Sequence, residues 1–224
     1  MRNARRPMAA LLTKTLLTKT QLTKIVLGTA LAASLSGCFG LVVGAGVAGA
    51  VSTVDRRTLG AQTEDKSITV KAELKMREIT GDAGNVNVTS FNRRVLLTGE
   101  VRDEAMKQAA EREVRAIANV VSVINELAIS GSSSYTSRSN DALITAKVKT
   151  SLVDMKTVSA ISFKVTTERG VVYLMGLVTP REGNIAADVA KGVSGVTRVV
   201  KIFEYISEED ARVRQNSPVQ ASLN

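Results

Sequence analysis

An internal repeat limits this chain to a fold built from two similar units. Residues 86–101 (VNVTSFNRRVLLTGEV) align with residues 163–178 (FKVTTERGVVYLMGLV) at a constant offset of 77. Four equivalent pairs carry the alignment: Val88 and Val165, Val95 and Val172, Leu97 and Leu174, Gly99 and Gly176. With 224 residues the chain has room for one or two domains after removal of any leader. The repeat therefore predicts two tandem domains.

An amphipathic helix is predicted ahead of each repeated segment. Apolar residues recur at spacings of four, four and three, which places them on one side of a helix. The first set is Ile68, Ala72, Met76 and Ile79, and the second set is Ile144, Val148, Leu152 and Met155.

The repeated segments themselves alternate as two strands of a hairpin do. In the second copy Phe163, Val165, Val172 and Leu174 can share one buried face. A turn at Arg169-Gly170 joins the strands, because glycine accepts positive φ. In the first copy Asn92, next to Arg93, can supply the same conformation.

A second helix follows the hairpin and ends in a third strand. Thr179 is the expected N-cap, Pro180 the first helical residue and Glu182 the partner in a capping box. We expect an inward stripe of Ile185, Val189 and Val193, with a helix stop at Gly195 and, in the first copy, at Asn119. Strands over 120–129 and 196–206 then close the two copies.

Each copy therefore reads α-β-β-α-β. The predicted fold class is α+β: two tandem small sandwiches, each a three-stranded mixed sheet packed on two helices. The strand-helix-strand crossover should be right-handed.

The first 37 residues are predicted to be a signal peptide. Residues 1–24 carry basic residues among short apolar pairs, and residues 25–36 are apolar and too short to span a bilayer. The segment Leu35-Ser36-Gly37-Cys38 resembles the lipobox of bacterial lipoproteins, which implies lipidation of Cys38. The alternative is a structural cysteine at the end of an ordinary transmembrane helix. Phe39, where an inner-membrane retention signal usually has Asp, implies the outer membrane, facing the periplasm.

The leader also explains most of the formal charge of +9. Six of the 30 basic residues and none of the 21 acidic residues lie in it, so the remaining chain is close to neutral. Aromatic residues make up 3% of the chain and tryptophan is absent. No phosphate-tracking stripe or base-stacking platform is evident, which argues against nucleic-acid binding.

Composition divides the rest of the chain. We expect a lipidated Gly/Ala-rich tether over 38–65, domains over 66–129 and 140–206, a Ser-rich linker over 130–139 and a polar tail over 207–224. Residues 39–54 could instead form a short membrane span with a GxxxG face at Gly40 and Gly44.

Side chains for common catalytic chemistry are missing. The chain has no histidine, and its single cysteine is the expected lipid attachment point. Ser-His-Asp and Cys-His sites and ordinary zinc sites are therefore excluded. The acidic pairs Asp103-Glu104 and Glu208-Glu209 fit capping and solvation better than acid-base catalysis. We expect no enzyme activity, no cofactor and no metal.

Several stretches resemble the BON domain. They are VTTERGVVYLMGLVTPRE at 165–182, VSGVTRV at 193–199, SNDALITAKV at 139–148 and DRRTLGAQTED at 55–65. Two such copies behind a lipobox are similar to the dual-BON outer-membrane lipoproteins of the DolP type. The resemblance implies a non-enzymatic protein that helps to maintain the outer-membrane barrier.

The resemblance also implies that the first helix of the second domain, about Asn140 to Met155, binds anionic phospholipid. On this helix Leu143, Lys147 and Thr150 share one flank, so an apolar side chain and an ammonium group can meet the membrane together. Leu143 stands where a member of that family has tryptophan, which should weaken insertion. Two alternatives remain: an ordinary solvated flank, and a protein-interaction adaptor that docks on an envelope assembly or division complex.

Overall fold

The first repeat forms the predicted order of elements. A computed structural model describes residues 55–81, 84–131 and 134–216. The first repeat consists of helix α1 (Leu59–Thr80), strands β1 (Asn85–Phe91) and β2 (Arg94–Val101), helix α2 (Glu104–Arg115) and a third strand in two pieces, β3 (Ser122–Asn125) and β4 (Ala128–Ile129).

The second repeat follows the same order without a break in its third strand. It consists of helix α3 (Tyr135–Asp154), a 3-10 turn (Ala160–Ser162), strands β5 (Phe163–Glu168) and β6 (Val171–Val178), helix α4 (Pro180–Lys191) and strand β7 (Arg198–Tyr205). A further helix, α5 (Glu208–Asn216), comes last among the described residues.

Each repeat has its own mixed sheet. In the first, β2 pairs antiparallel with β1 and parallel with β3 and β4, and in the second β6 pairs antiparallel with β5 and parallel with β7. Val88 lies opposite Leu97, and Val165 lies opposite Leu174. The predicted fold class of two α+β units is confirmed.

Both hairpin turns use the residues that the sequence indicates. Asn92 and Arg93 have φ values of 49° and 63°, and Arg169 and Gly170 have φ values of 52° and 74°. Two consecutive residues with positive φ give the turn the twist that a two-residue hairpin requires.

A buried aspartate on the first helix of each repeat holds its hairpin turn. The Asp65 carboxylate accepts backbone N–H bonds from Asn92 and Arg93, both at 2.7 Å. The Asp141 carboxylate accepts the equivalent bonds from Arg169 and Gly170, both at 2.8 Å. These bonds fix the helix to the hairpin, and they recur in both repeats although the sequence analysis did not single out either aspartate.

The second helix of the second repeat begins as predicted but packs differently. Thr179 and Glu182 form the capping box, and Pro180 is the first helical residue. The buried apolar side chains are Ala186, Ala187 and Ala190, whereas the expected stripe of Ile185, Val189 and Val193 is only partly buried beside them. A Cβ on Gly183 would lie 2.9 Å from Phe203. The helix lies so close to the sheet that small residues occupy the centre of the contact.

Three further details differ from expectation. Helix α4 ends at Lys191 rather than at Gly195, and Gly195 and Asn119 adopt positive φ (96° and 67°) in the turns that lead into the third strands. Met155 is exposed because helix α3 ends before it. In the first repeat the third strand breaks after Asn125, where Gly99 (φ 108°) distorts the neighbouring strand.

The expected linker and tail are partly helical. Ser134 caps α3 by accepting the N–H of Ser137 at 3.2 Å, so the last residues of the Ser-rich segment form the start of that helix. Ser207 accepts the N–H of Asp210 at 3.0 Å at the start of α5. In each case a serine N-cap favours a helix in a polar segment.

The two repeats pack against each other through their sheets. Helices cover one face of each sheet, and the opposite faces meet in a shared apolar cluster of Phe91, Leu96, Tyr173, Met175, Leu177 and Ile202. Polar contacts border this cluster, including Asn92 Nδ2 to Glu204 Oε2 at 2.8 Å. The repeats are therefore not independent domains on a flexible linker.

Candidate membrane-contact site

Helix α3 has a strongly defined inner face, which fixes what its outer face can present. Ile144, Val148 and Leu152 are buried in the core of the second repeat, and Asp141 is buried against the hairpin turn. Residues on the opposite side of the helix therefore point away from the protein.

The structure places the three predicted contact residues on that outer side. Leu143 is 61% exposed, and Lys147 and Thr150 are also exposed. The Thr150 hydroxyl donates to the Ala146 carbonyl at 3.0 Å within the helix. The side chains of Leu143 and Lys147 are thus available to contact a partner. The Thr150 hydroxyl is less available, because it is already bonded within the helix.

The outer face contains further apolar residues that sequence reasoning missed. Tyr135 is 84% exposed and Val153 is 64% exposed. Five turns of 3.6 residues separate them, so they lie along one line of the helix, and Leu143 lies about 80° around the helix from that line. Tyr135 was missed because the Ser-rich composition placed it in the expected linker. Ser134 is a favourable N-cap residue, and that signal could have placed Tyr135 on the helix.

The charges around this face are mostly positive. Arg138, Lys147, Lys149 and Lys156 are exposed. The two acidic residues in this stretch differ in position: Asp141 is buried, and Asp154 is exposed near the helix end. Arg138 also lies over the Tyr135 ring, with its guanidinium carbon 4.6 Å from the ring centroid. Apolar tips beside cations are the pattern that suits an anionic lipid surface.

The equivalent helix of the first repeat offers a contrast. Helix α1 also exposes three apolar side chains: Leu59 at its start, and Val70 and Leu74 further along. Its acidic residues equal its basic residues in number, with exposed Glu73 and Glu78 beside the latter two. When the buried aspartate of each helix is left out, α1 has four basic and three acidic residues, and α3 has three basic residues and one acidic residue. Helix α1 therefore has the smaller positive excess.

The segment that leads in from the expected tether is held by two arginines. The Arg56 guanidinium, 4% exposed, donates to both Glu182 oxygens at 2.7 and 2.8 Å and to the Leu177 carbonyl at 3.2 Å. Burial opposes ionisation of Glu182, but hydrogen bonds from Arg56 and from the Thr179 amide outweigh it, so the pKa of Glu182 is lowered. This ion pair joins the segment to the second repeat.

Arg57 joins the same segment to the first repeat. It donates to Asp65 at 2.7 Å and to Asp55 at 2.7 and 3.2 Å, and its guanidinium carbon lies 4.1 Å from the centre of the Phe91 ring. Residues 55–57 thus contact both repeats. Because α1 already begins at Leu59, the end of the expected tether (38–65) belongs to the folded part of the chain.

Cys38, the predicted lipidation site, lies outside the described residues. Among the helices that are described, none is both long and apolar enough to cross a bilayer. In the same part of the chain, no three His, Cys, Asp or Glu side chains group closely enough to hold a metal ion.

Comparisons with known proteins agree with this organisation. Residues 68–131 and 140–206 each match the BON domain. The outer membrane lipoprotein DolP of Haemophilus influenzae is 37% identical over 175 residues, which are 77% of this chain and 90% of that protein. A 21 kDa hemolysin of Actinobacillus pleuropneumoniae is 28% identical over 68% of this chain and 80% of its own length. Osmotically-inducible protein Y of Escherichia coli is 44% identical over 61 residues, 30% of that protein.

Proposed function

The chain belongs to the BON domain family, and from that premise we propose that it is a lipid-anchored outer-membrane protein that binds anionic phospholipid through helix α3. It is a dual-BON lipoprotein of the DolP type, held on the periplasmic side of the membrane. Its contribution to the integrity of that membrane is non-enzymatic.

The outer face of α3 is the observation that carries this proposal. Tyr135, Leu143 and Val153 offer apolar side chains along the helix, and Lys147 and Lys149 lie exposed near them. Apolar side chains can enter the boundary between headgroups and acyl chains while ammonium groups meet phosphate. Tyr135 also supplies an interfacial aromatic side chain, which position 143 does not provide because it is a leucine.

The anchor and the helix have separate tasks in this proposal. More than one acyl chain on Cys38 is enough for stable anchoring, since each buried CH₂ contributes about 0.8 kcal/mol. Each basic residue near an anionic surface contributes about 1 kcal/mol, which is too little to anchor a protein alone. Helix α3 therefore selects the lipid and orients the second domain.

Vesicle sedimentation of an unlipidated chain tests the proposal. The chain should carry Cys38→Ser and keep residues 55–57, because Arg56 and Arg57 hold the two repeats. We expect the wild-type surface to sediment with vesicles that contain anionic phospholipid, less so in high salt. Leu143→Asp and Lys147→Glu should each reduce sedimentation, and binding to neutral vesicles should be weak.

A matched control comes from the first repeat. Val70→Asp and Lys71→Glu make the same chemical changes on the outer face of α1 and should leave vesicle binding unchanged. Equal losses from changes on both helices would contradict a site on α3. Failure of the unlipidated chain to bind any vesicle, together with capture of one envelope protein that survives Leu143→Asp, would support the adaptor function instead.

A further inference from the structure

Two buried glutamates lie in the interface between the sheets, one from each repeat. Glu100 is on β2 and is 1% exposed, and Glu168 ends β5 and is 7% exposed. Side chains alternate along β2, so Glu100 faces the second repeat together with Leu96 of the shared apolar cluster. Glu168 faces the first repeat, where it accepts a hydrogen bond from Asn87 Nδ2 at 3.0 Å.

Glu100 has no hydrogen-bond donor for either carboxyl oxygen within the described part of the chain. An ionised carboxylate that is removed from water without donors is strongly unfavourable. The Glu100 carboxyl group therefore lies in the interface without a compensating donor.

The pKa of Glu168 is changed by that environment. Burial raises the pKa of Glu168, and the negative charges of Glu100 and Asp141 raise it further, while hydrogen bonds from Asn87 and Thr98 offset part of the effect. Asn87 lies opposite Thr98 on β2, so the Asn87 bond places the Glu168 carboxyl beside the face of β2 that also carries Glu100.

Other charged groups face Glu168 from the surrounding elements. Two clefts, of about 730 and 460 Å³, border this residue. Their charged lining residues are Glu73, Arg77, Arg138 and Asp141 in the larger cleft and Lys107, Glu126, Arg169 and Arg198 in the smaller one. Lys164, on the same strand as Glu168, is exposed.

Three of these cations already have other partners. Arg198 donates to Glu126 at 3.3 Å, Arg169 donates to Ser130 Oγ at 2.9 Å, and Arg138 lies over Tyr135. Tyr173, which donates to Glu126, stays neutral because burial and then the charge of Glu126 raise its pKa to about 12. Among the described residues, no cation lies within ion-pair distance of Glu100 or Glu168.

We propose that Glu168 makes the interface between the two BON domains sensitive to pH: the domains pack more tightly when Glu168 is protonated than when it is ionised beside Glu100. A protonated Glu168 can donate a hydrogen bond across the interface, toward the unpartnered oxygens of Glu100. Ionisation removes that donor and places a negative charge beside a second carboxyl group in a largely buried contact.

The direction of the pH dependence follows from linkage. The closed interface binds the Glu168 proton more tightly than the open one, so closure is favoured at low pH and weakens as pH rises from about 4.5 through the raised pKa. One extra bound proton changes the opening equilibrium by up to about tenfold per pH unit in that window.

Hydrogen exchange of the full chain in detergent micelles measures this opening. Protection of the segments that contain Asn87 and Glu168 is compared from about pH 5 to about pH 8, after correction for intrinsic exchange rates. We expect opening of the wild-type interface to increase with pH by up to about tenfold per unit. Glu100→Leu should remove most of that increase, and Glu168→Gln should remove all of it.

Glu78→Gln, an exposed change in the same repeat as Glu100, serves as the control and should keep the wild-type dependence. If Glu100→Leu fails to fold, Glu168→Gln alone decides the matter. An unchanged pH dependence in Glu168→Gln would overturn the proposal. A second outcome would also overturn it: added Ca²⁺ closes the interface at neutral pH in the wild-type chain but not in the variants. That result would mean that a cation occupies the carboxyl pair.

Discussion

Arg56 and Glu182 form a bidentate ion pair across 126 residues of chain, with N–O distances of 2.7 and 2.8 Å. Glu182 also belongs to the capping box of α4. A residue inside the expected tether (38–65) thus pairs with the N-terminus of a helix in the second repeat. The fold of the second domain and the position of the tether are thereby linked.

Arg56→Ala should destabilise the chain strongly. It leaves the Glu182 carboxylate buried without its partner, and such a loss typically costs about 3–5 kcal/mol. The double change Arg56→Met with Glu182→Met should cost less, because no charge remains buried. Urea unfolding of the three proteins measures the difference; a double variant as unstable as Arg56→Ala would argue that packing rather than charge dominates.

Acid should weaken the same contact. The pKa of Glu182 is lowered in the folded chain, so its contribution is present above the ordinary value of about 4.5 and is lost as pH falls through the lowered value. The free energy of unfolding should fall more steeply below about pH 4.5 in the wild type than in Glu182→Gln. Unfolding curves across that range, with Glu78→Gln as the control, test the sign; parallel curves would refute it.

Asp141→Asn should loosen the hairpin of the second repeat. The asparagine amide can accept from one of the two turn amides but not from both, so a buried donor loses its partner at a cost of about 1–3 kcal/mol. Asp65→Asn should cost more, since Asp65 also accepts from Ser90 and pairs with Arg57. Thermal unfolding of both variants gives the order, and a larger effect at Asp141 would contradict it.

Leu143→Trp should strengthen vesicle binding. An indole at this exposed position adds an interfacial aromatic without disturbing the buried face of α3. Tighter sedimentation with anionic vesicles is expected, together with a blue shift of tryptophan fluorescence, which is easy to read because the chain has no other tryptophan. Val70→Trp on α1 is the matched control, and an equal shift there would indicate non-specific insertion.

Local rules made most of each repeat predictable. The spacing of Ile68, Ala72 and Met76, the positive-φ turn at Arg169-Gly170 and the capping box at Thr179 each depend on residues close in sequence. Such patterns can be recognised in the sequence without knowledge of the tertiary structure. The two family matches confirm the resemblance that these residues suggested.

Contacts between distant segments were not predictable in the same way. Nothing near Arg56 in sequence indicates Glu182 as its partner, and the alternation of β6 does not reveal that Tyr173 meets another sheet. The outer face of α3 was found only in part, because Leu143 and Lys147 lie in the recognised repeat and Tyr135 lies before it. These features arise when the two repeats pack.

The meeting of the two sheets also bears on how such a chain could have evolved. A single ancestral copy would expose the sheet face that its own helices do not cover, including the positions now held by Leu96 and Tyr173. Large apolar side chains in a row on an open sheet promote aggregation. In the pair each copy covers the exposed sheet face of the other, so these apolar residues are removed from water. Later substitutions in one copy are then constrained by the other, even though each repeat retains its own core.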